Sequence, residues 1–529
     1  MANNIPLQSL ERANFTDDST KDSSTRRVNI SNSQADSIPI EFTDDMLTAF
    51  GALNVSQLRP EIQIDAVYGL RDKTDTEVFS ATGGSVTEDF GTTGINFKCS
   101  TGTNIGGYGI VRSRRAVSYR PGQGLLLRFT AGFSAPVALG AQRAGGINSE
   151  NELSFGYQGT DFGIFYKANG KLEIQTLTIT AGATGGPETA TITLAGVPYS
   201  VDLTAGTAAH NAFEIASDSD FAAGSAWRAY QNGDTVTFLA QALGDKTGTF
   251  SFASSSATGS LVETRAGSNA VETFITQENW NNDAMDGTGP SGMTLDPSKG
   301  NVFEIKLQYL GYGAITFFVE NQDTGRFTLV HTIKYANLNT SPSLSNPSFK
   351  VGWFAASLGS TTDIYTFGAS GMVGIEGEQQ PRRLPDAQES EKSGVGSTYT
   401  NIITVRNRNT FNARVNLSEI LPSNIEVAVD GTKISQYRVI LNAVLGGEPN
   451  WQYEDEDHSI AEYDTAATTA TLGSNSQLIL AGVLGKTANT SAILVDYDIH
   501  LIPGDTITIA VRTTSGSTDA AVSITWLED

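Results

Sequence analysis

Apolar and polar residues alternate along much of this chain with a period of two, the period of a strand that buries one face. In LRPEIQIDAVYGL, Ile62, Ile64 and Ala66 alternate with Gln63, Asp65 and Val67, which predicts an extended segment. From about 76 to 175 one strand pattern follows another. VFSATGGSVTEDF and GINFKCST are separated by Gly-Thr-Thr-Gly, a turn composition. A Pro121-Gly122 turn precedes the run Leu125 to Phe129, which reads as a buried strand. Asn169-Gly170 reads as a hairpin signal, because Asn-Gly tolerates the positive φ pair of a type I′ turn.

Residues 176–268 change character. TATITLAGVPYSVDLTAG predicts a two-stranded ribbon, and TAAHNAFEIASDSDFAA predicts a helix with Thr207 as N-cap and Ala212, Phe213 and Ile215 on one side. WRAYQNGDTVTFLAQALGDKTGTFSFAS returns to strands, so the segment reads as a small ββαββ insertion. Strands resume near 271 and continue to 375. EGEQQPRRLPDAQESEKSGVGST (376–398) has charge, Pro, Gly and Ser, and Leu384 is its one large apolar residue besides the valine, so it reads as a linker that lets the last domain swing. Six to eight short strand patterns follow in 399–529. The expected fold is all-β, a multi-domain β-sandwich or jelly roll. It comprises an N-terminal arm and docking segment (1–75), a discontinuous sandwich (76–175 plus 269–375), the insertion (176–268), the linker (376–398) and a C-terminal β-sandwich (399–529). Within the arm, residues 1–37 have no apolar periodicity, and a short helix is expected from Thr43 to a stop at Gly51.

Charge narrows the function. Lys plus Arg is 34 and Asp plus Glu is 57, a formal net charge of −23 over 529 residues. A protein that works mainly on nucleic acid needs a basic face, so direct nucleic-acid binding is not expected. No apolar run approaches the ~20 residues of a membrane span, and the first residues lack the apolar stretch of a secretory signal. Cys99 is the one cysteine, which excludes an internal disulfide and a multi-cysteine zinc site.

The chemistry-bearing residues are sparse. GxSxG, GxxxxGKS, HExxH and the EF-hand loop pattern are all absent. His210, His331, His458 and His500 are scattered without metal-ligand spacing, and His331 in LVHTIKY reads as a sheet histidine. The run Glu454-Asp455-Glu456-Asp457 and the loop carrying Asp283, Asp286 and Asp296 are calcium candidates, each against the plainer reading of a solvated loop. Trp227, Trp280, Trp353, Trp451 and Trp526 offer either sugar-stacking platforms or core. No catalytic, cofactor-binding or metal residue is assigned, and no cofactor is expected.

SYRPGQGLLLRFTAGFS (118–134), FGYQGTDFGIFYKANGKLEIQTLTIT (155–180), WRAYQNGDTVTFLAQALGDKTGTFSF (227–252), WNNDAMDGTGPSGMTLDPSKGNVFEIKLQYLGYGAITFFVEN (280–321) and VHTIKYANLNTSPSLSNPSF (330–349) resemble a family of virion structural proteins of tailed bacteriophages, with similar sequences in large DNA viruses. The resemblance covers about 40–375. It implies a non-enzymatic fibre, collar or tail-appendage subunit, made in host cytoplasm and resident in the virion. Implied partners are neck, tail or capsid proteins and further copies in a homotrimer, with no membrane insertion. The segment after the linker resembles the β-domains that end many phage fibres. The alternative is a host-receptor or glycan-binding adhesin on the same scaffold.

Overall fold

Each period-two segment has one face to bury, and Gly- and Asn-rich turns let the chain reverse between segments. The structure, a computed structural model, describes residues 58–72, 74–89, 96–222, 224–377 and 384–529. The expected arm at 1–37 and the helix expected near 43–51 lie outside the described residues. Among the described residues the fold is all-β with a single α-helix, Ala208–Ser217.

Two sheets form the central sandwich. One runs in the order Phe327–Ile333, Ile315–Glu320, Asn301–Leu307, Leu125–Phe133, Tyr365–Gly368, Asn96–Ser100, Ser85–Asp89. The other runs Val271–Thr276, Asp161–Ala168, Glu152–Gln158, Gly140–Ile147, Lys350–Ser357, Tyr108–Ser113, Thr76–Ala81. Segments before and after the insertion therefore share both sheets. Leu125–Phe133 is central, pairing with Asn301–Leu307 on one side and Ser370–Glu376 on the other, and buries all of its residues except Arg128 and Thr130. Phe129, Phe155, Phe303, Phe317 and Trp353 from both sheets fill the space between them. Leu58–Asp65 pairs with Ser370–Glu376 and buries Ile62 and Ile64. This corrects the expected boundary: the strand belongs to the sandwich, not to a docking segment.

The insertion also departs from its expected outline. Asn169-Gly170 is not a hairpin, because Asp161–Ala168 pairs within the sandwich whereas Leu172–Ala181 pairs with Thr235–Leu243 and Thr258–Arg265. Asn169 takes φ +62°, and the chain leaves the sandwich there. Lys171 and Ser268 exchange backbone hydrogen bonds of 3.0 and 3.1 Å, so the neck lies at these two residues. The module has seven strands in two sheets, not four in a ββαββ unit. The orders are Trp227–Asn232, Thr235–Leu243, Leu172–Ala181, Thr258–Arg265 and, separately, Val197–Leu203, Glu188–Leu194, Ser251–Ala253. The helix has Thr207 as its N-cap, whose hydroxyl accepts from the His210 N–H at 3.2 Å. It buries Ala212 and Ile215, and also Asn211, whose amide accepts from Ala183 N at 2.7 Å and donates to the Thr204 carbonyl at 2.9 Å. A buried polar side chain is stable there because both ends of its amide are satisfied.

The C-terminal sandwich packs a four-stranded sheet (Asp386–Val395, Thr518–Glu528, Ile420–Gly431, Thr487–Ile493) on a six-stranded one (Gln452–Tyr453, Ala461–Asp464, Thr400–Asn407, Thr506–Thr513, Ser435–Leu441, Gln477–Leu484). Trp526, Ile403, Val405, Ile425 and Ile509 lie in its core. The linker expectation is corrected here, since Asp386–Val395 is a strand of this domain, paired with Thr518–Glu528.

Nor is the domain free to swing. Arg114 and Arg115, next to one another in the sandwich, reach Asp505 and Glu419 at 3.0 Å each, and Arg120 pairs with Asp529. The insertion is tied to the same domain by Gly233 N to Trp451 O at 2.7 Å, Arg406 Nη2 to Gln231 O at 2.9 Å and Asn232 Nδ2 to Glu462 Oε1 at 3.0 Å.

Candidate functional site

Strand alternation divides the four-stranded C-terminal sheet into a core face and a solvent face. Ala520, Val522, Ile524 and Trp526 point into the core, so Asp519, Ala521 and Ser523 point out. Register carries the pattern across the neighbours. Ser523 lies opposite Glu389 on one side and Glu426 on the other, and Glu426 opposite Ser491. One step along, Glu391, Ala521, Ala428 and Asn489 form a second row. A third row holds Asp519, Asp430 and Thr487, with Thr487 Oγ1 donating to Asp430 Oδ1 at 2.9 Å.

Small side chains at the centre and longer carboxylates around them leave a recess of about 900 Å³. Among the described residues no Lys or Arg lines it. The strand's own Lys392 lies opposite inward-facing Ala520 and donates to the Ala467 carbonyl at 2.8 Å. The surface is thus an array of acceptors, with hydroxyl and amide groups between them, suited to ligands rich in O–H or N–H donors.

The candidates named from sequence lie elsewhere and are occupied by local structure. Asp283 is buried and accepts from Met285 N and Ser291 N, both at 2.8 Å. Asp286 accepts from Thr288 N at 2.8 Å and Asp296 from Ser298 N at 3.0 Å. Each carboxylate closes its own turn, and the Thr288 and Ser298 hydroxyls, at 2.7 and 2.6 Å, together with these backbone N–H groups hold Asp286 and Asp296 below the usual carboxylate range. In the acidic run, Asp455 accepts from the Asp457 and His458 N–H groups at 3.0 and 3.1 Å, and Glu454 accepts from Gln388 Nε2. His331 is buried in its sheet with Nδ1 accepting from Asn281 N at 3.2 Å, and burial lowers its pKa.

All five tryptophans are at least nine-tenths buried. Trp353 donates to the Thr130 carbonyl at 2.8 Å, and the Arg406 guanidinium lies 3.9 Å above the Trp451 ring at the contact with the insertion. None is a sugar platform.

One cluster was missed. Glu173, Asp245 and Glu263, from two strands and a loop, bring carboxylate oxygens within 4.8 Å of one another. Glu173 is buried and accepts from Gln175 Nε2 at 2.8 Å and Lys246 N at 2.6 Å. All-oxygen donors of this kind suit a hard cation. Residues separated by 72 and 18 positions carry no spacing signal, and only the insertion's fold juxtaposes them.

No family model matches the chain, and no curated protein matches its sequence. Among solved structures, the VIP36 exoplasmic/lumenal domain in a Ca²⁺/Man3GlcNAc-bound form aligns over 61% of this chain and 92% of its own, at 11% identity and TM-score 0.23. Peanut lectin with a 9mer peptide aligns over 57% and 97%, at 11% identity and TM-score 0.19. The botulinum neurotoxin serotype C1 binding domain aligns over 87% and 98%, at 9% identity and TM-score 0.25. At these scores the alignments carry no argument about fold or ligand.

Proposed function

We propose that the chain is a non-enzymatic structural and attachment subunit of a phage virion, whose C-terminal sandwich holds a glycan on its solvent-facing sheet. The observation that supports this most is the recess built from Glu389, Glu391 and Glu426 around Ala428, Ala521, Ser491 and Ser523, on a domain fixed to the body by Arg114, Arg115 and Arg120. A fixed, open, acceptor-lined face suits saccharide hydroxyls. Its carboxylates, with no lining cation among the described residues, select neutral or amino sugars and repel sialylated or sulfated ones. A glycan array probed with the whole chain is expected to show binding to neutral or amino-sugar glycans. Glu426→Lys should lower that signal at least tenfold, about 1.4 kcal/mol. An array on which the whole chain binds nothing overturns the attachment reading.

The structural part of the reading is supported by Gln477–Leu484. This strand, QLILAGVL, ends its sheet, carries no charge or proline, and exposes Leu478 and Val483 at 40% and 66%. An open apolar edge of this kind invites pairing and is normally covered. In this reading another copy covers it, within a homotrimer. Light scattering of the chain is expected to give a trimer, and Val483→Lys should shift it towards monomer. A monomeric wild-type chain at micromolar concentration overturns it.

A further inference from the structure

The three units meet around a cavity of about 190 Å³. The central sandwich contributes Glu77, Arg112, Arg114 and Lys350, and the insertion contributes Tyr230 and Gln241; the C-terminal domain closes it with Asn416 and Pro503. Arg112 Nε donates to Glu77 Oε2 at 2.7 Å, and Lys350 Nζ donates to the same oxygen at 3.0 Å. Arg114 is matched separately by Asp505. Two cations therefore share one carboxylate, leaving one positive charge over in a chain whose net charge is −23.

An ammonium has three protons to donate, and Glu77 takes one of Lys350's. Burial, opposed by Glu77 and reinforced by Arg112 and Arg114, pushes the lysine down to about 8. Leu172, Leu239 and Ile502 line the same space, so charge interactions within it are weakly screened. Junctions between domains are favoured places for small-molecule sites.

We propose that this junction binds a compact oxyanion, the carboxylate or phosphate group of a small molecule, with Lys350 and Arg112 as its cationic contacts and Gln241 and Tyr230 as polar neighbours. Such a ligand touches all three units, so it stabilises their arrangement by mass action.

The test is calorimetry and thermal unfolding of the full chain, with inorganic phosphate and, separately, glucuronate, against chloride at matched ionic strength. One-to-one binding of at least one probe, with a rise in melting temperature, is expected; which probe binds more tightly identifies a phosphate or a sugar-acid source. Lys350→Gln should weaken binding at least tenfold. Ser149, an exposed residue of the rim, offers a second variant: Ser149→Trp obstructs the space without removing a charge and carries the test if Lys350→Gln does not fold. No binding of either probe at millimolar concentration overturns the proposal, as does binding that survives both variants unchanged.

Discussion

Glu419→Ala is expected to destabilise the protein by about 3 kcal/mol and to loosen the C-terminal domain from the sandwich. Both Glu419 oxygens accept from Arg115 Nε at 3.0 Å, and Oε2 also faces His500 Nδ1 at 2.6 Å. The Glu419 side chain is 4% exposed and that of Arg115 is 25%. Removing the carboxylate leaves Arg115 with the Glu61 carbonyl and His500 with Asp498 as their remaining partners at the domain junction, and these contacts and the partial solvation of Arg115 keep the cost near the low end for a buried pair.

The pH dependence distinguishes this from simple loss of packing. Burial pushes Glu419 up, but hydrogen bonding and attraction from His500 and Arg115 outweigh it, so its pKa lies below the ordinary 4.5. A carboxylate with a depressed folded pKa contributes stability that is complete above its unfolded pKa and lost as pH falls through the folded value. The gap between wild type and Glu419→Ala in denaturant unfolding should therefore be widest at neutral pH and close below about pH 4.5. A gap independent of pH would mean that the carboxylate's charge is not what joins the domains. Glu61, at the same junction, works in the opposite sense: burial raises its pKa, so protonation on acidification relieves a cost. Wild-type acid loss should thus be shallower than Glu419 alone would produce.

Trp353→Ala is expected to cost about 3–5 kcal/mol in the central sandwich, from lost contacts and the cavity left behind. The side chain is fully buried, with its ring edge-on to Phe97 at 4.9 Å and to Phe129 at 6.4 Å. The surrounding backbone has little room to move in. A Cβ at Gly371 would lie 2.7 Å from Trp353 Cη2, so the sheet is already shaped to the indole. The Thr130 carbonyl would also lose its donor, at about 1–3 kcal/mol if no water replaced it. For a domain of this size the melting transition should fall by roughly 10 °C or more. Trp353→Phe, which keeps most of the volume and loses the N–H, should fall between wild type and Ala. An Ala variant that melts within a degree or so of wild type would mean that the two sheets do not depend on this contact.

Features that depend on neighbours along the chain are legible in the order of residues. Period-two alternation marks strands whose two faces meet different media, as at Ile62 and Ile64. The run from Leu125 marks a mostly buried strand, and Thr207 marks the start of a helix because a side-chain oxygen can satisfy the N–H three residues on. Features that depend on pairing between distant segments emerge with the folded arrangement. DAQESEKSGV shows no apolar stripe, yet it is a strand, because backbone hydrogen bonds to Thr518–Glu528 need no particular side chain and an edge strand buries little. Asn169-Gly170 has the local chemistry of a hairpin, but the strand after it finds partners inside the insertion. Five tryptophans and many carboxylates were all legible as residue types. Whether each is buried, capping a turn or facing a recess is set by strand register, because a shift of one residue exchanges the two faces of a sheet. Glu389, Ser523, Glu426 and Ser491 are therefore neighbours through the folding of one domain, although the chain places them up to 134 residues apart.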